Sequence, residues 1–304
     1  MLKWFTRELP AETETENNTS GVSPGTSKER VGSDFEQLEK DAHAISFPKS
    51  GRTWLSQLYY QYYTHLHSAL LEEKPQGKWR LYYPEKSDHF VTLLQQTRQL
   101  GKPIPVVGFS HLTPGRGALP YYEISLDIQR LGQKPILYLS RDPRDVVVSY
   151  YHHVMSKEEF RLAKDVSLSE FLRSELFGIR YIVAYCNYWA EQLQKGHPNL
   201  KFVTYESLQN NPVSLLEEIL LFWGAPSVEG ESLSYAVQAT QFERLKAEEN
   251  KRREAQGKEQ DDKQMRMRKG KVGGYKEELN QEDIVYINRV IKTHLHPYYE
   301  SYLC

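Results

Sequence analysis

Apolar residues in this chain arrive in two rhythms. Four short, nearly continuous apolar runs, at residues 44–47, 105–109, 135–140 and 200–205, have the length and composition of strands buried on both faces. Elsewhere the apolar positions recur at helical spacing. Leu55, Leu58, Tyr59, Tyr62 and Leu66 form one stripe and predict a helix from Thr53 to about Ser68. Further helices are expected at about 169–176 and 180–195. Asn211-Pro212 opens another that runs to Gly224, with Leu215, Leu216, Ile219, Leu220 and Phe222 as its apolar face. A last helix covers 280–295, opened by Asn280, with Glu282-Asp283 in its first turn and Lys292 and His294 at its end. Strands alternating with helices predict an α/β fold, a central parallel sheet with helices on both faces. No internal repeat interrupts the order.

Three stretches follow neither rhythm. Residues 1–35 are rich in Glu, Thr, Asn, Ser and Gly, with almost no bulky apolar side chain after Trp4 and Phe5, which predicts a disordered or loosely attached arm. Residues 69–90 scatter Trp79, Tyr82, Tyr83 and Phe90 among charges and read as irregular, either a pocket wall or a loop anchored by its aromatics. Residues 247–264 are almost all Glu, Lys, Arg, Gln and Asp, a solvated helix extension or a mobile loop. With 304 residues, 39% of them hydrophobic, residues 36–304 suffice for a single domain. Lys and Arg total 39 against 40 Asp and Glu, so the net charge of −1 draws the protein to neither nucleic acid nor an anionic membrane. Any cationic site is therefore local. Two cysteines, Cys186 and Cys304, make neither a disulfide framework nor a metal-ligand spacing. The first ten residues carry Lys3, Arg7 and Glu8 with no apolar run behind them, and no later run approaches the roughly eighteen apolar residues of a membrane span. The expectation is a soluble, cytoplasmic protein.

Candidate chemistry lies where the strands end. Residues 45–54, Ile-Ser-Phe-Pro-Lys-Ser-Gly-Arg-Thr-Trp, run from a strand through a Pro- and Gly-broken loop directly into a helix. Such a loop aims free backbone N–H groups and a helix N-terminus at one spot, and Lys49, Ser50, Arg52 and Thr53 add cations and hydroxyl donors. A phosphate or sulfate site and an ordinary Gly/Ser turn both suit it. It lacks the G-x-x-x-x-G-K-[ST] of a Walker loop. His111 follows the second strand, and Arg141 ends the third, just before a helix that Asp142 caps and Pro143 begins. Open α/β sheets place their chemistry at these ends. A single His there is as compatible with structure as with function, and Arg141 is equally a surface ion-pair partner for Asp142 or Asp145. Residues 265–276, basic and Gly-punctuated, form either a loop that closes over an anion or a basic surface turn.

Taken together, these segments resemble the cytosolic-type sulfotransferase family, over about residues 42–295. Phe47-Pro48-Lys49-Ser50-Gly51-Arg52-Thr53-Trp54 resembles the family's Y-P-K-S-G-T-T-W loop, residues 141–151 its R-x-P-[KR]-D-V-x-V-S-Y-Y segment, and residues 268–273 its R-K-G-x-x-G loop. The resemblance implies a P-loop-like, three-layer α/β fold and transfer of a sulfonate from 3′-phosphoadenosine 5′-phosphosulfate (PAPS) to a hydroxyl or amine of a small-molecule acceptor. It implies that Lys49, Ser50, Gly51, Arg52 and Thr53 hold the 5′-phosphosulfate and that Trp54 stacks on adenine. Arg141 and Ser149 would bind the 3′-phosphate, with Arg268, Lys269 and Gly270 closing over it, and Tyr205, Thr240 and Phe242 would lie around the adenine. His111 would be the general base, since an imidazole's ordinary pKa near neutrality suits removal of an acceptor proton. Lys49 would stabilise the departing phosphate of the product PAP, and no metal is expected.

This sequence departs from the pattern in places. Phe109 and Ser110 stand where the family's K-T-H has Lys and Thr, Gly274-Tyr275 replaces Asp-Trp, and only Lys276 survives of the family's dimer signature. That dimer is not expected, and Arg52 is a candidate to supply the charge that Phe109 lacks. Two other readings stand beside the transferase: a non-catalytic nucleotide-binding member of the fold, and a small-molecule kinase, for which the chain lacks the Walker lysine and Mg²⁺ ligands. Residues 69–90, 111–122 and 152–171 are the expected acceptor walls.

Overall fold

The computed structural model describes residues 35, 37–71, 81–112, 126, 128–156, 165–257 and 268–303. The arm at 1–34, the middle of the 69–90 stretch, most of the acceptor-wall segments beyond Leu112 and Ser156, and the end of the 247–264 segment lie outside them.

Each apolar run becomes a strand and the helical stripes fill the intervals. The order is β1 (Ala42–Ser46), α1 (Arg52–Leu66), α2 (Asp88–Gln99), β2 (Val107–Ser110), β3 (Ile136–Ser140), α3 (Pro143–Met155), α4 (Leu168–Arg173) and α5 (Ile179–Gln194). There follow β4 (Leu200–Thr204), α6 (Tyr205–Asn210), α7 (Pro212–Phe222), α8 (Gly230–Ala239), α9 (Phe242–Ala255) and α10 (Gln281–His294). All four strands are parallel, in the order β2-β1-β3-β4. The chain therefore leaves β1 toward β2 on one side and returns to β3 on the other, and the carboxyl end of β1 opens into the crevice at this reversal.

Alternation along the strands sorts the core into two layers. Ile45, Ile136 and Tyr138 face one cluster, with Val147, Tyr185, Trp189 and Tyr299. Ala42, Ala44, Leu137 and Leu139 face the other, with Leu58, Tyr59, Tyr62, Phe90 and Trp223. The sheet is thus covered on both faces, as continuous apolar strands require. Phe35, at the edge of the expected arm, is buried in the second cluster.

Helices occupy ground that the periodicity left unassigned. Within 69–90 the chain begins α2 at Asp88, whose buried residues Phe90, Val91, Leu93, Leu94 and Thr97 pack under a polar outer face. The fourth strand stops at Thr204, because Thr204 and Ser207 form a reciprocal capping box and turn Tyr205 into the first residue of α6. The charged segment begins as the last turns of α9.

Candidate active site

The loop after β1 is tight: the Ser50 amide donates to the Phe47 carbonyl at 3.2 Å, and Lys49 (φ 73°) and Gly51 (φ 102°) both take left-handed backbone conformations. Gly51 has no substitute at this point. A Cβ there would stand 2.6 Å from the Tyr205 ring, and the backbone lies where L side chains are strained. Gly51 caps α1, so the free amides of the helix start face the crevice. Ser50 is buried beneath the loop. Arg52 is buried too, its guanidinium 4.7 Å from the centre of the Tyr83 ring. Trp54 packs edge-on to Tyr205 at 5.6 Å and its indole N–H donates to Thr240 Oγ1 at 3.3 Å.

Arg141 connects the parts. It donates to the carbonyl of Lys49 at 3.4 Å and to that of Lys271 at 3.1 Å, lies 3.7 Å from Asp145, and covers the Tyr205 ring at 4.4 Å. The surface ion pair offered by the sequence is in fact nearly buried, with 11% of the Arg141 side chain exposed. Asp142 pairs instead with Arg144, at 2.8 Å, while its Oδ1 accepts the Arg144 amide and caps α3. The Arg141 Nε is buried without a hydrogen-bond partner, an orphaned donor of the kind an anion satisfies. Asp145 also accepts the amides of Gly273 and Tyr275, at 2.7 and 3.0 Å, and so fastens the basic loop to α3.

That loop closes through Gly270. Its φ is 60°, and a Cβ would fall 2.4 Å from the Phe242 ring, so only glycine lets the backbone reach Phe242. The Tyr205 hydroxyl and the Gln209 amide each donate to the Gly270 carbonyl at 3.3 Å. Arg268 pairs with Glu278 at 2.6 Å, and Lys269 with Glu277 and Glu278 at 3.0 and 3.2 Å.

His111 stands just past β2. Its Nδ1 lies 2.9 Å from the Ser46 carbonyl; a carbonyl only accepts, so Nδ1 carries a proton, and in the neutral ring the lone pair is on Nε2. The buried Tyr185 hydroxyl donates to the His111 carbonyl at 2.5 Å, and Leu112 follows with a φ of 45°. Phe109 turns away from this end and packs on Tyr59 and Trp223, at 5.7 and 5.8 Å.

One cavity of about 810 Å³ is lined by Lys49, Gly51, Arg52, Thr53, Trp54, His111, Arg141, Ser149, Tyr205, Thr240, Phe242, Arg268, Lys269 and Gly270. Every candidate drawn from the sequence therefore meets there, save Ser50 beneath the loop. The cations fit a multiply charged anion and the aromatic end fits a flat base. Residues 39–298 match the sulfotransferase-domain family. The chain belongs to the sulfotransferase family.

Within that family, the luciferin sulfotransferase of Photinus pyralis is 27% identical over 203 residues, 62% of this chain and 52% of its own length. The flavonol 4′-sulfotransferase of Flaveria chlorifolia is 26% identical over 280 residues, covering 86% of this chain and 81% of its own. This chain thus spans only about half the length of the firefly sulfotransferase. A mouse sulfotransferase solved in complex with PAP shares the fold, with a TM-score of 0.54 at 18% identity over 88% of this chain and 90% of that one.

His153, from the expected acceptor-wall segment 152–171, does line the cavity, and other residues there were assigned no part from sequence. Tyr181 and Gln209 line it, Tyr185 holds the His111 backbone, and Glu278 holds the basic loop. No local signal marks Tyr185, Gln209 or Glu278, whose contacts with His111, Gly270 and His152 join residues 74, 61 and 126 positions apart. Among the described residues, no group of three or more His, Cys, Asp or Glu side chains is placed to hold a metal ion, and no helix is long and apolar enough to cross a membrane.

Proposed function

We propose that this protein transfers a sulfonate from PAPS to a hydroxyl or amine of a small-molecule acceptor in the cytosol, with neither nucleic acid nor membrane as partner. The observation that carries the reading is the convergence of four distant segments on one cavity: the Lys49 loop, Arg141, the Arg268–Lys269–Gly270 turn and His111. Family membership over residues 39–298 supports it independently. When bound, the nucleotide supplies a sulfonate on a phosphate leaving group.

The chain's own residues divide the work. Lys49, Ser50, Gly51, Arg52 and Thr53 bring charge, hydroxyl and backbone donors to the 5′ end, where negative charge grows as the S–O bond breaks. Arg141, Ser149, Arg268, Lys269 and Gly270 recognise the 3′-phosphate. Trp54, Tyr205, Thr240 and Phe242 enclose the base. His111, with its proton held on Nδ1 by Ser46, offers Nε2 to accept the acceptor's proton. Tyr83, Tyr150, His153 and Tyr181 add an aromatic part of the wall, so the acceptor is a small molecule able to lie against aromatic rings.

The test is calorimetric titration with PAP of the wild type and of Lys49→Ala and Arg141→Ala, with Mg²⁺-ATP as control, followed by a PAPS transfer assay over phenols, alcohols and amines. Expected are PAP binding that each substitution weakens at least tenfold, little response to ATP, and turnover abolished by His111→Ala. Preference for Mg²⁺-ATP would replace this reading with a kinase. One observation favours a second reading: Phe109 leaves a strand-end position beside His111 uncharged, as suits a member that binds PAP without turning over. PAP binding with no transfer to any acceptor class would select it.

A further inference from the structure

Arg268 and Lys269 are adjacent cations on long side chains, in a stretch outside any regular element. Left alone they repel one another and sample many rotamers, and an anion that binds them must offset the ordering cost. Here one side chain reaches both. Glu278 Oε1 lies 2.6 Å from Arg268 Nη1 and 3.2 Å from Lys269 Nζ, while Oε2 meets His152 Nε2 at 2.6 Å. His152 belongs to α3, the helix that carries Ser149. The Glu278 amide donates to the Tyr275 carbonyl, and the Tyr275 amide is held by Asp145, so the carboxylate rises from an anchored turn.

We infer that Glu278 is a positioning residue, which fixes Arg268 and Lys269 at the cavity wall and locks their loop to α3. The inference rests on the donor-site reading above. Glu277 also holds Lys269, at 3.0 Å, but from the solvent side. Its side chain is 45% exposed and its contacts with Lys269 and Lys271 are open to solvent, whereas Glu278 and Arg268 are 16% and 15% exposed. Burial works to raise the Glu278 carboxyl, yet the His152 hydrogen bond and the adjacent charges of Arg268 and Lys269 prevail and bring it down to about 2. Nor does Glu278 merely occupy the anion's place. A guanidinium carries five donors in a rigid fork, and the 2.6 Å contact with Glu278 is made through Nη1.

The test compares PAP with adenosine 5′-phosphate, which lacks the 3′-phosphate, by calorimetry at fixed salt. Glu278→Gln is expected to weaken PAP at least tenfold and adenosine 5′-phosphate less than twofold, with Glu278→Asp recovering part of the loss. The effect runs chiefly through Arg268, so Glu278→Gln in an Arg268→Gln background is expected to add less than threefold. That double variant leaves no uncompensated buried arginine and serves if the single variant does not fold. Unchanged or tighter PAP binding by Glu278→Gln, an equal loss for both nucleotides, or a further tenfold drop in the Arg268→Gln background would overturn the inference while leaving the donor site intact. Wild-type protein that does not bind PAP removes the donor-site reading and this inference together.

Discussion

Gly51 and Gly270 are the residues on which the cavity's shape turns. Each has a positive φ and an aromatic ring where a Cβ would go, Tyr205 at 2.6 Å and Phe242 at 2.4 Å. Gly51→Ala is expected to cost about 2 kcal/mol of stability in urea unfolding, from left-handed strain of ~1–2 kcal/mol plus the clash, and to abolish PAP binding. Lys49 shows the opposite bargain. It holds φ 73° without being glycine, so Lys49→Gly is expected to stabilise the fold by about 1 kcal/mol while losing the nucleotide. Glu278 links this scale to pH. Its folded carboxyl sits at about 2 against 4.5 for the free side chain, so its contribution is complete above 4.5 and is lost as pH falls toward 2. Acid-unfolding curves of wild type and Glu278→Gln are therefore expected to converge across that window. Sequence identified the two glycines and the cations because short motifs carry them. It gave no sign of Tyr185 or Glu278, whose contacts with His111 and with His152 join residues 74 and 126 positions apart.

At the scale of elements, the readable features were those set by neighbours in the chain. Asp142 before Pro143 announces the start of α3, and the Asp142 side chain does cap it. Asn280 caps α10 in the same way. Asp142→Ala removes this cap and strands Arg144, only 9% exposed, without its carboxylate. The expected cost is about 2–4 kcal/mol by thermal or urea unfolding, more than a cap alone, and Asp142→Asn should recover about half. The hidden elements were those whose helical stripe is short or whose end depends on a cap within strand-like sequence. Helix α2 has both a polar face and a start inside an aromatic, charged stretch. Tyr205 belongs to an apolar run, yet the Thr204–Ser207 box ends the strand before it and so sets its ring under Gly51.

The whole molecule is two apolar layers pressed on one parallel sheet, and both are needed to keep the strand ends in register. Trp189 anchors one layer and Trp223 the other, both essentially inaccessible. Trp189→Ala and Trp223→Ala are each expected to cost about 3–5 kcal/mol, read as a lowered urea midpoint. PAP at a hundredfold excess over its dissociation constant should restore about 2.7 kcal/mol of that, since it binds only the folded chain. By itself the sequence determined the alternation of strands and helices, the buried character of the sheet, the caps and the three motif segments. These are local properties, written in spacing and in residues a few positions apart. Only the tertiary structure decided the strand order β2-β1-β3-β4, which brings His111 and Lys49 to adjacent strand ends. It also decided that Arg141 is nearly buried between two loops and that Phe109 packs against the core. Those outcomes depend on which distant surfaces exclude water from one another, and that choice is made by the packing of the whole chain.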